Sequence, residues 1–236
     1  MTSQRVRNEL RRVTAVIPAR GGSKGIPRKN LLVVNGTTLL ARTIVFAQQS
    51  GLFDHVHVST DDTDIAAEAE RFGAKPNFLR SEESSHDRAS STDVLIEVDR
   101  RLTDQGQTTD VYVLLEPTSP MRETHHVRDS LDLIHRGFDA AVTVSPVDVK
   151  FHPDKQFRVE SGGDAAFFTE RGPTIVARQQ LETTYIRNGF CYAVTSEVLR
   201  SHRSIFGTRL GAVVCDVPYV NIDSPEDLAR CRELLV

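Results

Sequence analysis

The sequence predicts an α/β fold, with a mostly parallel central sheet and helices on both faces. Three observations carry that prediction. Short apolar, β-branched runs alternate along the chain with amphipathic stretches of helical period. The first run empties into a glycine-rich loop, at the kind of strand end where open α/β sheets bind their ligands. At 236 residues, 39% hydrophobic and 26% charged, the chain is long enough for one large α/β domain, with or without a small appendage.

Residues 1–12 are polar and basic without an apolar core, which reads as a flexible arm and as neither a signal peptide nor a membrane anchor. Residues 13–17 form a buried strand stopped by Pro18, and the glycine-rich loop follows. A helix is expected over 38–49 and a strand over 55–60, ending at Asp61 and Asp62, which can cap the next helix; there Ile65, Ala69 and Phe72 share one face. Val94, Val98 and Leu102 make the apolar stripe of a helix over 91–102, and residues 111–115 are an apolar strand leading into Glu116-Pro-Thr-Ser-Pro-Met-Arg122. Val127, Leu131 and Ile134 mark another helix, 140–144 and 210–215 two further strands, and Pro225 the first turn of a closing helix. Between 145 and 184 the rhythm fails. Prolines, Gly162-Gly163 and short mixed runs fill a stretch too long for an ordinary loop, which suits a lid, a hairpin arm or an oligomer contact inserted into the domain of residues 13–236.

Acids outnumber bases over the chain, 32 to 29, for a net charge of −3. No acid falls between Glu9 and Asp54, however, where Arg11, Arg12, Arg20, Lys24, Arg28, Lys29 and Arg42 all do. Four of these cations sit in Val16-Ile-Pro-Ala-Arg-Gly-Gly-Ser-Lys-Gly-Ile-Pro-Arg-Lys-Asn30. Gly21, Gly22 and Gly25 allow successive backbone N–H groups to converge on one anion, and Ser23 adds a hydroxyl. Arg20 offers a planar fork, while Lys24 and Lys29 are point charges able to follow a phosphate. The competing reading is a solvated surface loop, and the position after a first strand weighs against it. The loop lacks the Gly-Lys-Ser/Thr ending of a Walker loop and the glycine spacing of a dinucleotide fingerprint. The basic stretch is too local for a nucleic-acid surface. Cys191, Cys215 and Cys231 are too far apart for a metal knuckle; their odd number without a secretion signal argues for reduced thiols in the cytoplasm.

The segment Ala19-Arg-Gly-Gly-Ser-Lys-Gly-Ile-Pro-Arg-Lys-Asn30 closely resembles the first motif of the acylneuraminate cytidylyltransferases, enzymes that make CMP-sialic acids. Val58-Ser-Thr-Asp61, Arg80 with Ala89-Ser-Ser91, Leu114-Leu-Glu-Pro-Thr-Ser-Pro-Met-Arg122, His152-Pro-Asp-Lys155, Arg178-Gln-Gln-Leu181, Asn188-Gly-Phe-Cys-Tyr192 and Ile222-Asp-Ser-Pro-Glu-Asp-Leu228 resemble further family motifs, in family order, over nearly the whole chain from Val13. The resemblance implies a Rossmann-like nucleotidyltransferase that moves CMP from CTP to a sugar acid with Mg²⁺ as cofactor. It implies that Arg20, Lys24, Lys29 and Asp223 carry catalysis, that Ser23 and Asn30 join Arg20 and Lys24 at the nucleotide, and that Arg80, Ala89 and Ser91 recognise cytosine. Lys155, Arg178, Asn188 and Tyr192 match positions that face the acceptor. Members are commonly homodimers in which an arm reaches the other subunit's acceptor pocket, a role that suits 145–184.

Two departures stand out. The family usually ends its last strand with two aspartates one residue apart, aimed at Mg²⁺; Asn221-Ile-Asp223 keeps only the second, so Asn221 is the weaker half of the metal pair. Glu116 stands where the family has a glutamine near the acceptor, and a carboxylate there would repel an acidic sugar or bind a hydroxyl or an amine. The acceptor therefore stays open between a nine-carbon sialic-acid-like sugar (neuraminic, legionaminic or pseudaminic), a shorter ulosonic acid and a phosphonate, and a catalytically weakened nucleotide-binding homologue is the contrasting class.

Overall fold

A computed structural model describes residues 12–22, 25–86 and 89–235. Strands β1 (Val13–Pro18), β4 (His55–Ser59), β5 (Val111–Leu114), β6 (Ala140–Pro146), β9 (Tyr185–Thr195) and β10 (Leu210–Val214) form one sheet in the order β10-β6-β9-β5-β1-β4. Every neighbouring pair is parallel except those of β9, which runs antiparallel to both β5 and β6. Two-residue strands β2 (Val33–Val34) and β3 (Thr37–Thr38) make a small separate ladder after the first loop.

Strand side chains alternate between faces, and each face has its own core. Ala15, Ile17, Val113 and Leu115 pack with Leu40 and Ile44 of α1 (Leu39–Ser50), Ile65 and Ala69 of α2 (Thr63–Arg71), and Val127 and Ile134 of α5 (Thr124–His135). Val16, Tyr112 and Leu114 point the other way, onto Leu95, Val98 and Leu102 of α4 (Ser91–Asp104) and Leu199 of α6 (Ser196–His202). The predicted mostly parallel sheet with helices on both faces is the architecture found. The helices start where capping chemistry predicts: the Thr38 hydroxyl accepts from the Ala41 N–H, the Asp62 carboxylate accepts from the Asp64 and Ile65 N–H groups, and Ser90 and Ser224 form capping boxes with Asp93 and Asp227 ahead of α4 and α7 (Pro225–Leu234).

The sequence reading assigned no strand to 185–195, yet β9 lies in the middle of the sheet. The polar run Arg187-Asn188 and Gly189 interrupt its apolar period. The sheet absorbs that interruption with a register shift against β6 between Val142 and Val144 and a left-handed Gly189, φ +75°. Ser145 and Pro146 still pair with Ile186 and Tyr185, so the insertion leaves the sheet at Val147, whose N–H donates to the Thr184 carbonyl. Within it, β7 (Phe157–Val159) and β8 (Ala165–Phe167) form a two-stranded antiparallel hairpin whose residues are all exposed. Among the described residues no helix is long and apolar enough to cross a membrane.

Candidate active site

Strand β1, next to the edge strand β4, ends at Pro18, and the loop beyond it is held by its neighbours. The Ala19 N–H donates to the Ser59 carbonyl at 2.9 Å, and the Gly21 N–H to Asp61 Oδ1 at 2.9 Å. Asn30 Nδ2 donates to the Arg20 carbonyl at 3.1 Å from a buried position, tying the loop's two ends together. One of the N–H groups expected to face an anion is thus spent on a carboxylate. Arg28, in left-handed backbone (φ 54°), turns outward into an exposed ion pair with Asp64 at 2.8 Å. Lys29, 15% exposed, instead reaches across to Asp223 with Nζ 2.7 Å from Oδ1. The loop and the segment before α7 also touch through backbone: a Cβ on Gly25 would collide with the Asp223 carbonyl oxygen. Ser23 and Lys24 lie outside the described residues.

Arg80 closes another side. Its Nη2 donates to the Ser59 carbonyl at 2.7 Å, Nε to the Ser59 hydroxyl at 3.1 Å and Nη1 to the Ser84 carbonyl at 3.4 Å. Burial lowers its pKa, against the pull of Asp61 and Glu97. Arg80 is therefore built into the wall of the site. Ala89 and Ser91, at the start of α4, come to the same wall.

Together Arg20, Lys29, Asn30, Arg80, Ala89, Ser91, Glu116 and Asp223 line one open cleft of about 450 Å³ at the carboxyl ends of β1, β4 and β5. Among the described residues three cations face two acids there, a balance suited to a polyanion that arrives with a divalent cation. Burial raises the Glu116 carboxyl pKa, with Asp223 adding to the rise and Arg122, Arg187 and Lys29 opposing it. The resemblance also implies Mg²⁺ at this cleft. Among the described residues no group of three His, Cys, Asp or Glu side chains could hold a metal alone. An exposed Asp223 that already draws an ammonium to 2.7 Å fits a hydrated Mg²⁺ completed by phosphate oxygens.

The remaining expected acceptor residues are not among those lining the cleft. Asn188 is fully buried in β9, where Nδ2 donates to the Ser145 hydroxyl at 3.0 Å and Oδ1 accepts from the Phe190 N–H at 3.2 Å, so its amide is consumed inside the sheet. Tyr192 packs in the core beside β5 and β6, where burial raises its phenol pKa to about 12. Lys155 and Arg178 line a different cavity, of about 310 Å³, within the insertion. Asn221, expected at the metal, accepts the Ser119 hydroxyl and is not among the residues lining the cleft. Sequence reasoning also passed over Arg122. Buried, with burial lowering its pKa to about 10, it donates to the Phe190 and Glu116 carbonyls and the Thr43 hydroxyl and fixes the loop after β5. Its place at the end of a quoted motif was the available signal.

Fold and cleft define a Rossmann-like α/β enzyme of the nucleotidyltransferase class, built to receive a phosphorylated nucleotide at the strand ends. The sequence profile of the cytidylyltransferase family matches residues 14–234, and the chain belongs to that family. It is 29% identical over 235 residues to CMP-N,N'-diacetyllegionaminic acid synthase of Legionella pneumophila, covering 95% of this chain and 96% of that one. Against pseudaminic acid cytidylyltransferase of Campylobacter jejuni it is 30% identical over 226 residues, 93% of this chain and 94% of the other. With N-acylneuraminate cytidylyltransferase A of Danio rerio it shares 38% identity over 161 residues, 68% of this chain but 35% of that longer one. Among solved structures, CMP:2-keto-3-deoxy-manno-octonic acid synthetase complexed with CTP superposes with a TM-score of 0.70 at 23% identity, covering 95% of this chain and 98% of the other, which shows the shared fold.

Proposed function

We propose that this protein transfers CMP from CTP to a nine-carbon, sialic-acid-like sugar acid of the neuraminic, legionaminic or pseudaminic type. The acceptor's anomeric hydroxyl oxygen bonds to the α-phosphorus, the bond from that phosphorus to the β-phosphate's bridging oxygen breaks, the hydroxyl proton passes to solvent, and pyrophosphate departs with that bridging oxygen. The observation that carries this reading is the convergence of Arg20, Lys29, Asn30, Arg80, Ala89, Ser91 and Asp223 on one cleft. Phosphoryl-type transfer asks chiefly for positioning and charge neutralisation. Arg20 and Lys24 hold the triphosphate, joined by Ser23; Asn30 fixes the loop through the Arg20 carbonyl; Arg80, Ala89 and Ser91 frame the cytosine. Lys29, close to Asp223 before substrate arrives, neutralises phosphate charge. Asp223 would help to hold Mg²⁺ at the triphosphate, where the ion would supply further charge neutralisation.

Lys155 and Arg178 serve the acceptor carboxylate from a partner subunit in a homodimer. Two observations support this: both sit in the insertion rather than at their own chain's cleft, and the insertion carries exposed Phe157, Val159, Phe168 and Val176. The enzyme works in the cytoplasm, in keeping with three buried free cysteines. Glu116 in the cleft favours a second reading, transfer to a shorter ulosonic acid or a phosphonate. Pyrophosphate release with CTP, Mg²⁺ and a panel of acidic sugars and phosphonates decides. Turnover with a nine-carbon sugar acid is expected; turnover only with another acid supports the second reading, and tight CTP binding without turnover would leave a nucleotide-binding protein.

A further inference from the structure

Among the described residues lining the cleft, Glu116 and Asp223 are the acids. They come from different loops, the one after β5 and the one before α7, joined where the Ile222 N–H donates to the Thr118 carbonyl at 2.9 Å. Gly189 reveals how tightly this corner is packed. A Cβ there would lie 2.6 Å from Asn221 Oδ1 and 2.9 Å from Glu116 Oε2, and closer still to the Ser119 hydroxyl. The Glu116 carboxylate and the Asn221 amide therefore border one small volume. Their engagements differ, because the Asn221 oxygen is taken by the Ser119 hydroxyl, whereas the enclosed Glu116 carboxylate forms no hydrogen bond or ion pair among the described residues. An enclosed carboxylate without a partner is costly and fits a site whose cation comes with the substrate.

We propose that Glu116, not Asn221, is the second carboxylate of the metal site, so that Glu116 and Asp223 together receive the divalent cation that accompanies CTP. Asn221 is then a positioning residue that holds Ser119 beside Gly189. The two departures noted in the sequence become one: an amide stands at 221 and a carboxylate at 116, across the same contact, so the charge of the corner is kept while its source moves between loops. A metal-bound Glu116 also loses the charge that would repel an acidic acceptor. The proposal rests on the cytidylyl-transfer reading, and its test reads metal binding rather than turnover.

Mn²⁺ is titrated into protein with saturating CTP and no acceptor, and free Mn²⁺ is followed by electron paramagnetic resonance after subtraction of binding to CTP alone. The set is wild type, Glu116→Gln, Asp223→Asn, Asn221→Asp and the double variant Glu116→Gln/Asn221→Asp, with metal-free melting as the folding control. Glu116→Gln and Asp223→Asn should each weaken Mn²⁺ retention about tenfold or more. The double variant should recover most of the loss, because it returns the carboxylate to 221 and would not do so if Glu116 were merely structural. Retention within about twofold of wild type in a folded Glu116→Gln, beside a large loss in Asp223→Asn, overturns the proposal and leaves cytidylyl transfer standing. Absence of CTP binding by the wild type overturns both.

Discussion

The carboxyl edge of the sheet and the insertion at 147–184 meet their backbone and side-chain demands in opposite ways. At the edge, each loop over the strand ends is tied to a neighbour: Ala19 to Ser59, Leu115 to Val16, Ile222 to Thr118, all through backbone bonds of 2.9–3.0 Å. Its cations either brace the wall, as Arg80 does, or point into the cleft. The insertion has a small polar centre, with His152 and Asp154 buried, while Phe157, Val159 and Val176 stand 54%, 68% and 88% exposed. One region is finished by its own chain; the other presents apolar surface that this chain does not cover. Chemistry that tolerates little misplacement belongs in the first, and recognition that is assembled with a partner belongs in the second.

Replacing one lysine in each region gives the largest contrast. Lys29→Ala should reduce kcat by about a hundredfold to a thousandfold while the protein remains folded, because it removes a charge aimed at the phosphates. Lys155→Ala should leave kcat at saturating acceptor nearly unchanged and raise KM for the acceptor alone. Steady-state kinetics with both substrates varied separates them, and equal losses in kcat would erase the distinction.

The pH dependence of stability tests the wall of the site. His57 on β4 is buried against Phe78, its Nε2 has no hydrogen-bond partner among the described residues, and burial with Arg80 nearby lowers its pKa from 6.5 to about 4. Since the folded value is the lower one, the unfolded chain binds more protons between them. Stability is thus full above pH 6.5 and falls as pH drops towards 4, by roughly 3 kcal/mol from this group. Denaturant unfolding of wild type and His57→Gln from pH 7 to 4 checks it: the variant should lose that part of the slope.

A smaller effect comes from the loop itself. Gly25→Ala sets a methyl against the Asp223 carbonyl, whereas a Cβ on Gly22 meets nothing within 4 Å. Gly25→Ala should weaken CTP binding about tenfold with little change in melting, and Gly22→Ala should leave both nearly unchanged. Isothermal titration with CTP measures the pair, and equal affinities would show that contact between loop and Asp223 does not shape the site.

These contacts also mark what could be read from the sequence. The loop and the start of α4 were legible because each is a local pattern, a strand end or a cap, whereas Arg80 could be singled out only through the family resemblance. The pairing of Lys29 with Asp223 spans 194 positions and has no local trace. Strand β9 was missed because Asn188 interrupts an apolar run, and only the fold supplies Ser145 to satisfy it. The same side chain, taken for an acceptor contact on its motif, shows that position within a motif does not determine which way an amide faces. Lys155 and Arg178 were placed at the acceptor by motif alone, and no local pattern in the sequence shows that they line a separate cavity in the insertion.

The smallest effect on the isolated chain is expected where the surface is least covered. Val176→Ser removes apolar area from a side chain 88% exposed, so a monomer's stability should change by no more than about 0.5 kcal/mol. If the insertion packs against a second copy, the same substitution deletes buried area in the assembly, and light scattering over a dilution series should show dissociation at a higher protein concentration than for the wild type. Acceptor KM should rise with the fraction of monomer, while CTP affinity, set at the finished edge of the sheet, should not follow it. A variant that scatters as the wild type does at every concentration, with an unchanged KM, would mean that Val176 lies outside any contact and that the exposed apolar side chains of the hairpin, Phe157 and Val159, must be tested in its place.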